Sequence, residues 1–260
     1  ICGIRAKYSI SQSDLCILLG WGGKTVTRYE SHQIQDRAHD TILKKIDRDP
    51  EWFLSLLRDA RNNLSKEAYE KYLAAATSLY EKDQDEYLRK AIEANYAKFQ
   101  GNQMYHGNTE LSLDKAVDVI RYFAASSQVT NLYKVKLMKL MWYADALAYK
   151  RRGTAITGLV YQALPMGAVP IGHNSIIDLK DVPCEEVDMG ETNAYHFSLN
   201  GEQSFPALSE EEKSILDSVI EKLGRMSKTE IINFMHKEKA YISTAPRDVI
   251  QFQYAESLQI

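Results

Sequence analysis

Several things are scarce in this chain of 260 residues. Cysteine occurs three times, as Cys2, Cys16 and Cys184. An odd, scattered set of this kind gives no disulfide framework and fits a reducing compartment. No apolar run approaches the roughly 20 residues that cross a bilayer, and no signal-peptide pattern leads the sequence. The expected location is the cytoplasm, with no membrane partner. The histidines, His32, His39, His106, His173, His196 and His236, show no H-E-x-x-H or other metal-ligand spacing. Neither a metal nor a cofactor is expected. A G-x-x-x-x-G-K-[ST] phosphate loop is also missing, because Gly20-Trp21-Gly22-Gly23-Lys24-Thr25 belongs to another pattern. Catalysis needs convergent titratable groups. Cys184 with His173 or His196 is the one nucleophile pair on offer, and Cys184 falls in a stretch that reads as polar loop. No catalytic residue is expected, and the chain does not read as an enzyme.

What is present describes a water-compatible globular protein with room for two domains. Apolar residues make up 45% of the chain and the net charge is −3, with a mean hydropathy of −0.37. The charge is unevenly placed. Residues 1–48 hold eight Lys/Arg against five Asp/Glu, a balance of +3, so the remainder carries −6. A modestly basic end on an acidic protein suits one nucleic-acid-binding module joined to a different cargo.

Residues 10–30, ISQSDLCILLGWGGKTVTRYE, carry the most specific pattern. Gln12 opens a short amphipathic helix with Leu15, Leu18 and Leu19 inward, and Cys16 sits where only a small side chain fits between crossing helices. Gly20 supplies the left-handed residue that ends the helix. A second helix begins at Lys24-Thr25, with Val26 and Tyr29 inward and Lys24, Thr27 and Arg28 outward. The stretch resembles the Cro/repressor-type helix-turn-helix, whose second helix enters the major groove and reads base edges. That resemblance implies operator DNA as a partner and Gln12, Gly23, Lys24, Thr25, Thr27 and Arg28 as its contacts. Gln12 and the local amides would hold a phosphate. Lys24 and Arg28 would reach guanine or phosphates, and Thr27 a thymine methyl or a phosphate. The plain alternatives are an α-hairpin in a core and solvated surface charge. One small module offers few phosphate contacts, so a homodimer is expected.

Helical periodicity then continues to about Gln100. His39–Asp47 has Ile42, Leu43 and Ile46 on one side. Pro50 stands where a helix can start, followed by an apolar face at Trp52, Phe53, Leu56 and Leu57. Residues 65–99 are charge-rich, with apolar positions from Ala68 to Phe99 at i, i+3, i+4 spacing. These faces could pack on the first module, bridge two domains or form a dimer seam. Gly101 to Asn108 reads as linker. The expected organisation is therefore a DNA-binding bundle at 1–48, a helical connector or dimer arm at 49–107, and an α+β domain at 108–260 with a small antiparallel sheet. The fold class is mainly α.

In the last region, Leu113–Ser126 is one amphipathic helix. Thr130 or Asn131 is placed to cap the next, KLMKLMWYADALAYKRRG, which ends at Gly153 and should be the central buried helix, with Met138, Met141 and Trp142 in the core. AITGLVYQALPMGAVPIG reads as a strand and an irregular loop, and AYHFSL as a second strand. Ser209 with Glu212 and Ser227 with Glu230 form capping boxes. The second opens the helix that carries His236, read as a hydrogen-bonded structural histidine. A final helix is expected at 246–258.

The order of these segments, with EEEKSILDSVIEKLG and FMHKEKAY, resembles the Panacea (SocA-like) antitoxin domain over about residues 108–258. One departure is Gly167-Ala168-Val169-Pro170, where that family usually has Gly-Pro-Val. The resemblance implies an antitoxin of a type II toxin–antitoxin system. Such a protein neutralises a cognate protein toxin by direct binding and represses its own operon. A free-standing transcription regulator with a ligand-sensing second domain and a proteolytic adaptor are the alternatives. Toxin binding is expected at Tyr161, Leu164, Pro165, Met166 and Val169, because binding residues gather on loops held by a rigid scaffold. Tyrosine and methionine also suit interface cores. Otherwise these side chains fold under and complete the core beside Trp142.

Overall fold

The computed structural model describes every residue except His32, Gln33, Met189, Glu191, Thr192 and Glu202. His32 of the histidine set thus lies outside the described residues. The architecture is mainly α with two small two-stranded antiparallel sheets. The chain divides into two compact units, Ile1–Tyr87 and Leu88–Ile260.

The first unit runs α1 (Cys2–Tyr8), α2 (Gln12–Leu19), α3 (Thr25–Glu30), α4 (Arg37–Arg48), α5 (Pro50–Asp59) and the first part of α6 (Lys66–Tyr96), within which the division falls. Ser11 caps α2, accepting from the Asp14 amide. Gly20 ends it at φ +66°, a left-handed conformation that costs glycine little. The Trp21 amide then closes on Cys16 O at 2.8 Å. Pro50 is at the start of α5, where its missing amide is no loss. The core gathers Tyr8, Leu15, Cys16, Val26, Leu43, Ile46, Phe53 and Leu57, joined by Tyr72 and Ala76 of α6. Tyr8 stacks on Phe53 at 3.8 Å between ring centroids and donates to Ile46 O at 2.8 Å. Phe53 and Leu57, offered by the sequence as part of a dimer seam, are therefore buried within their own unit.

The second unit continues with α7 (Gln103–His106), α8 (Leu113–Ala125), α9 (Lys134–Arg152), β1 (Tyr161–Leu164), β2 (Gly167–Pro170), α10 (His173–Ile177), β3 (Cys184–Asp188), β4 (Asn193–Phe197), α11 (Glu210–Leu223), α12 (Lys228–Met235) and α13 (Lys239–Ile242). The α9 helix is central: every residue from Lys136 to Ala148 is buried, and it contacts α8, α11, α12 and β2. A helix apolar on most of its circumference can only sit inside. Both capping boxes are formed, at Ser209/Glu212 and Ser227/Glu230.

Five local expectations are corrected. Residues 101–108 are not a free linker. They hold α7, the Ala155 amide donates to Gly107 O at 2.8 Å, and Asn108 Nδ2 donates to Gly153 O at 2.9 Å. Neither Thr130 nor Asn131 caps α9; Tyr133 holds that position without a side-chain bond. Thr130 instead donates its amide to Gly224 O, and its carbonyl accepts from Lys136 Nζ. The segment after Gly167 is strand, pairing Tyr161 with Pro170 and Leu164 with Gly167 around a Pro165-Met166 turn. Cys184 opens strand β3 against Phe197, where the sequence read as loop. Finally, helix at the C-terminus is confined to a 3-10 turn at Phe252–Ser257. Upstream of it the chain pairs along β1 (Ala163 N to Asp248 O, Ile250 N to Tyr161 O), so those backbone groups are spent on the hairpin.

Candidate functional site

Two surfaces deserve separate description, one in each unit. In the first, α2 and α3 present the residues read as nucleic-acid contacts. Gly23, Lys24, Thr27 and Arg28 are exposed. Lys24 and Arg28 make no ion pair with a described residue. Thr25 departs from the expectation. It is 6% exposed and its amide is taken by Gly22 O at 2.8 Å, because the first turn of α3 tucks under the Trp21–Gly23 turn. Gln12 is already engaged: its Nε2 donates to Glu30 Oε2, and its Oε1 accepts from Thr27 Oγ1 at 3.0 Å. Glu30 is in turn held by both forks of Arg5, at 2.8 and 3.0 Å. The Arg5 bonds, with Gln12 adding to them, pull the Glu30 carboxyl down to about 2. An Arg5–Glu30–Gln12–Thr27 chain therefore fixes α1, α2 and α3 to one another. Gln12 serves here as a positioning group rather than a free one.

In the second unit, the residues expected to meet a protein partner divide. Tyr161 is fully buried. It packs edge-on against Trp142 at 5.1 Å and donates its hydroxyl to Asp145 Oδ2 at 2.7 Å, so it belongs to the core. Val169 is buried as well. The turn remains at the surface: Pro165 is exposed, Met166 is 47% exposed, and Leu164 is half-buried. The register sets Tyr161 and Val169 on opposite faces of the hairpin, and both are buried, so both faces are covered here and the turn alone stays out.

Asp145 explains why the hairpin sits where it does. It is fully buried, and among the described residues no cation pairs with it. Its oxygens accept from the Ile156 and Thr157 amides at 2.8 Å, from Thr157 Oγ1 at 2.5 Å and from Tyr161. Burial raises its pKa while those four donors oppose the rise. His236, at the end of α12, places Nε2 3.1 Å from Pro165 O and stacks on Tyr241, anchoring the turn from the other side.

Below the turn is a cavity of about 260 Å³ lined by Lys134, Val135, Met138, Lys139, Leu164, Pro165, Met166, Val169 and His173. The sequence reading named four of these, Leu164, Pro165, Met166 and Val169, and missed the α9 side. Lys139 is 1% exposed and donates to Ala168 O at 3.2 Å. Burial pushes its ammonium down to about 8. Close approach of the backbone makes this possible: Gly167, at φ +107°, would place a Cβ 2.8 Å from Met235 Cγ and 3.0 Å from Lys139 Cε. A signal for these residues existed. Lys136, Lys139 and Asp145 are polar positions on a helix otherwise apolar all round, so they had to be buried. Ala168 is buried on β2 with its carbonyl toward Lys139.

Of the nucleophile candidates, the Cys184 thiol is pushed up by burial first and by Asp178 second, away from the thiolate form. Burial lowers the His173 pKa. Among the described residues no group of three or more His, Cys, Asp or Glu could hold a metal ion. No helix of described residues is long and apolar enough to cross a membrane.

Residues 137–241 match the family model described as antitoxin SocA-like, Panacea domain. The matched stretch takes in most of α9, both hairpins, α11 and α12, which is the framework that holds the cavity. That description is of an antitoxin domain, and the match covers less than half of the chain. The chain matches no curated protein and no solved structure.

Proposed function

We propose that this protein is an antitoxin that neutralises a cognate protein toxin by direct binding through its second unit and represses its own operon through the first. The observation that carries the reading is the family match over 137–241, which lies wholly in the second unit. Lys24 and Arg28, exposed and without an ion pair among the described residues, are suited to DNA backbone and base edges. Repression calls for two such helices about 34 Å apart, one per half-site, hence a homodimer. Residues Leu164, Pro165 and Met166 form the toxin-facing rim.

The test is co-expression of the full chain with the toxin encoded beside its gene. Growth should be restored and the two proteins should co-purify. Absence of rescue by a folded full chain refutes the antitoxin reading. Light scattering should give twice the monomer mass of 29.7 kDa, and a monomer at micromolar concentration counts against the dimer.

A second reading, a transcription regulator that senses a small molecule, draws on one observation. A larger cavity of about 680 Å³ is lined by Tyr96, Phe99, Gln103, His106 and Glu110 among others. In it His106 Nδ1 lies 2.9 Å from Thr109 O while its buried Nε2 has no hydrogen-bond partner among the described residues. A neighbouring gene that encodes no toxin, with promoter binding altered by a metabolite, would favour this reading.

A further inference from the structure

Two lysines one turn apart on α9 are buried in opposite ways. Lys136 places Nζ 2.6 Å from both Thr130 O and Gly224 O, tying the start of α9 to the end of α11. Lys139 has one bond, 3.2 Å long, to Ala168 O. No carboxylate among the described residues pairs with it. An ammonium has three donors, and a buried charge with so little compensation is costly unless something else supplies it. Lys139 also lines the cavity below the β1–β2 turn, whose other walls are apolar or basic and include no Asp or Glu. Lys134 stands beside it, donating to Asn174 Oδ1 and lying 4.8 Å from the centre of the Tyr195 ring. Burial lowers the Lys134 pKa, and the Asp178 carboxylate opposes that.

We propose that this cavity is an anchor pocket for an acidic side chain, flanked by apolar residues, on the surface of a protein partner. The proposal rests on the toxin-binding reading and names what that site recognises. The charge is complementary: a carboxylate would complete the donors of Lys139. Its methylenes would lie on Met138 and Val169, and its apolar neighbours on Leu164 and the exposed Met166. Methionine adapts to varied shapes. A volume of about 260 Å³ is on the scale of a side chain, below the roughly 300–1,000 Å³ of small-molecule sites. A chain end would also bring a carboxylate, but it would carry a backbone amide into walls that have little to pair with it. A glutamate or aspartate side chain brings none.

The experiment uses the full chain labelled with ¹³C-lysine and three peptides. They are acetyl-Leu-Glu-Leu-amide, acetyl-Leu-Gln-Leu-amide, and acetyl-Leu-Gln-Leu with a free carboxyl end. The glutamate peptide should shift the Lys139 signal saturably and bind at least tenfold more tightly than the capped glutamine peptide. Lys139→Met should abolish that preference. Met166→Asp, at an exposed position, should weaken the glutamate peptide at least fivefold and leave the spectrum of the free protein otherwise unchanged. It keeps the test open should Lys139→Met fail to fold. Equal affinity for the two capped peptides, no shift at Lys139, or a preference that survives Lys139→Met overturns the proposal. So does tightest binding by the free-ended peptide, which would assign the pocket to chain ends. Full neutralisation of a toxin by both variants would sink the pocket and leave the antitoxin reading standing. Peptide binding as expected without any neutralisation would do the reverse.

Discussion

The α3 surface and the β1–β2 hairpin were both legible as candidate binding regions, yet they fared differently in three dimensions. On α3, the residues read as outward, Lys24, Thr27 and Arg28, are exposed, and the one exception, Thr25, sits at the helix start. On the hairpin, Tyr161 and Val169 turn inward and only Leu164, Pro165 and Met166 remain at the surface. A helix announces its buried side through its period, whichever neighbour covers it. A short strand with apolar residues at successive positions does not, because the covering element decides which face is closed.

That contrast can be broken most forcefully at Asp145. Replacing it with alanine leaves four buried donors without an acceptor, and thermal or denaturant unfolding should show a loss of about 3–5 kcal/mol. A loss below about 1 kcal/mol would mean that the hairpin is not held by this carboxylate. Tyr161→Phe should cost about 1.5–3 kcal/mol of stability through the lost bond to a buried carboxylate. Met166→Asp should leave stability within about 0.5 kcal/mol while impairing toxin neutralisation. If Tyr161→Phe instead impairs neutralisation at unchanged stability, the hairpin's inside and outside have been assigned the wrong way round.

On the α3 side, Arg28→Ala should weaken operator binding by about 1–3 kcal/mol and relax preference at one base position, with no change in unfolding. Gel shift on the protein's own promoter is the check, and equal binding by the variant removes Arg28 from the contact set. The smallest effect belongs to Glu30. Its folded carboxyl is held near 2 against an ordinary value of 4.5. Its contribution is therefore complete above pH 4.5 and is lost as the pH falls toward 2. Glu30→Gln should lower stability at neutral pH by about 1 kcal/mol or less and flatten the acid limb over that window. An unchanged acid limb would show that the Arg5–Glu30 pair contributes nothing.

Much of the fold could be read directly. Gly20 and Gly153 stop their helices, Pro50 starts one, and Ser209/Glu212 and Ser227/Glu230 form the boxes their spacing implies. These are local effects, settled within one turn of backbone. The candidate site was half legible: the turn residues were named, whereas Lys139 and Lys134 were not and His173 entered only beside Cys184, because nothing local says that α9 passes beneath a later hairpin.

By itself, the sequence determined the helix stops at Gly20 and Gly153, the helix starts at Pro50, Ser209 and Ser227, that α9 is buried, that the basic charge lies near the amino end, and that the segment order resembles an antitoxin domain. All of these follow from period, capping chemistry and composition. Only the tertiary structure decided that residues 101–108 are pinned rather than free, that 247–250 pairs along β1 instead of coiling, and that Gln12 is bound to Glu30. It also decided that Tyr161 completes a buried carboxylate while Lys139 is left under-satisfied beside a cavity. Each is a matter of which distant groups meet. Backbone donors, carboxylates and ammonium groups find their partners across the fold, and no rule of neighbouring residues selects them.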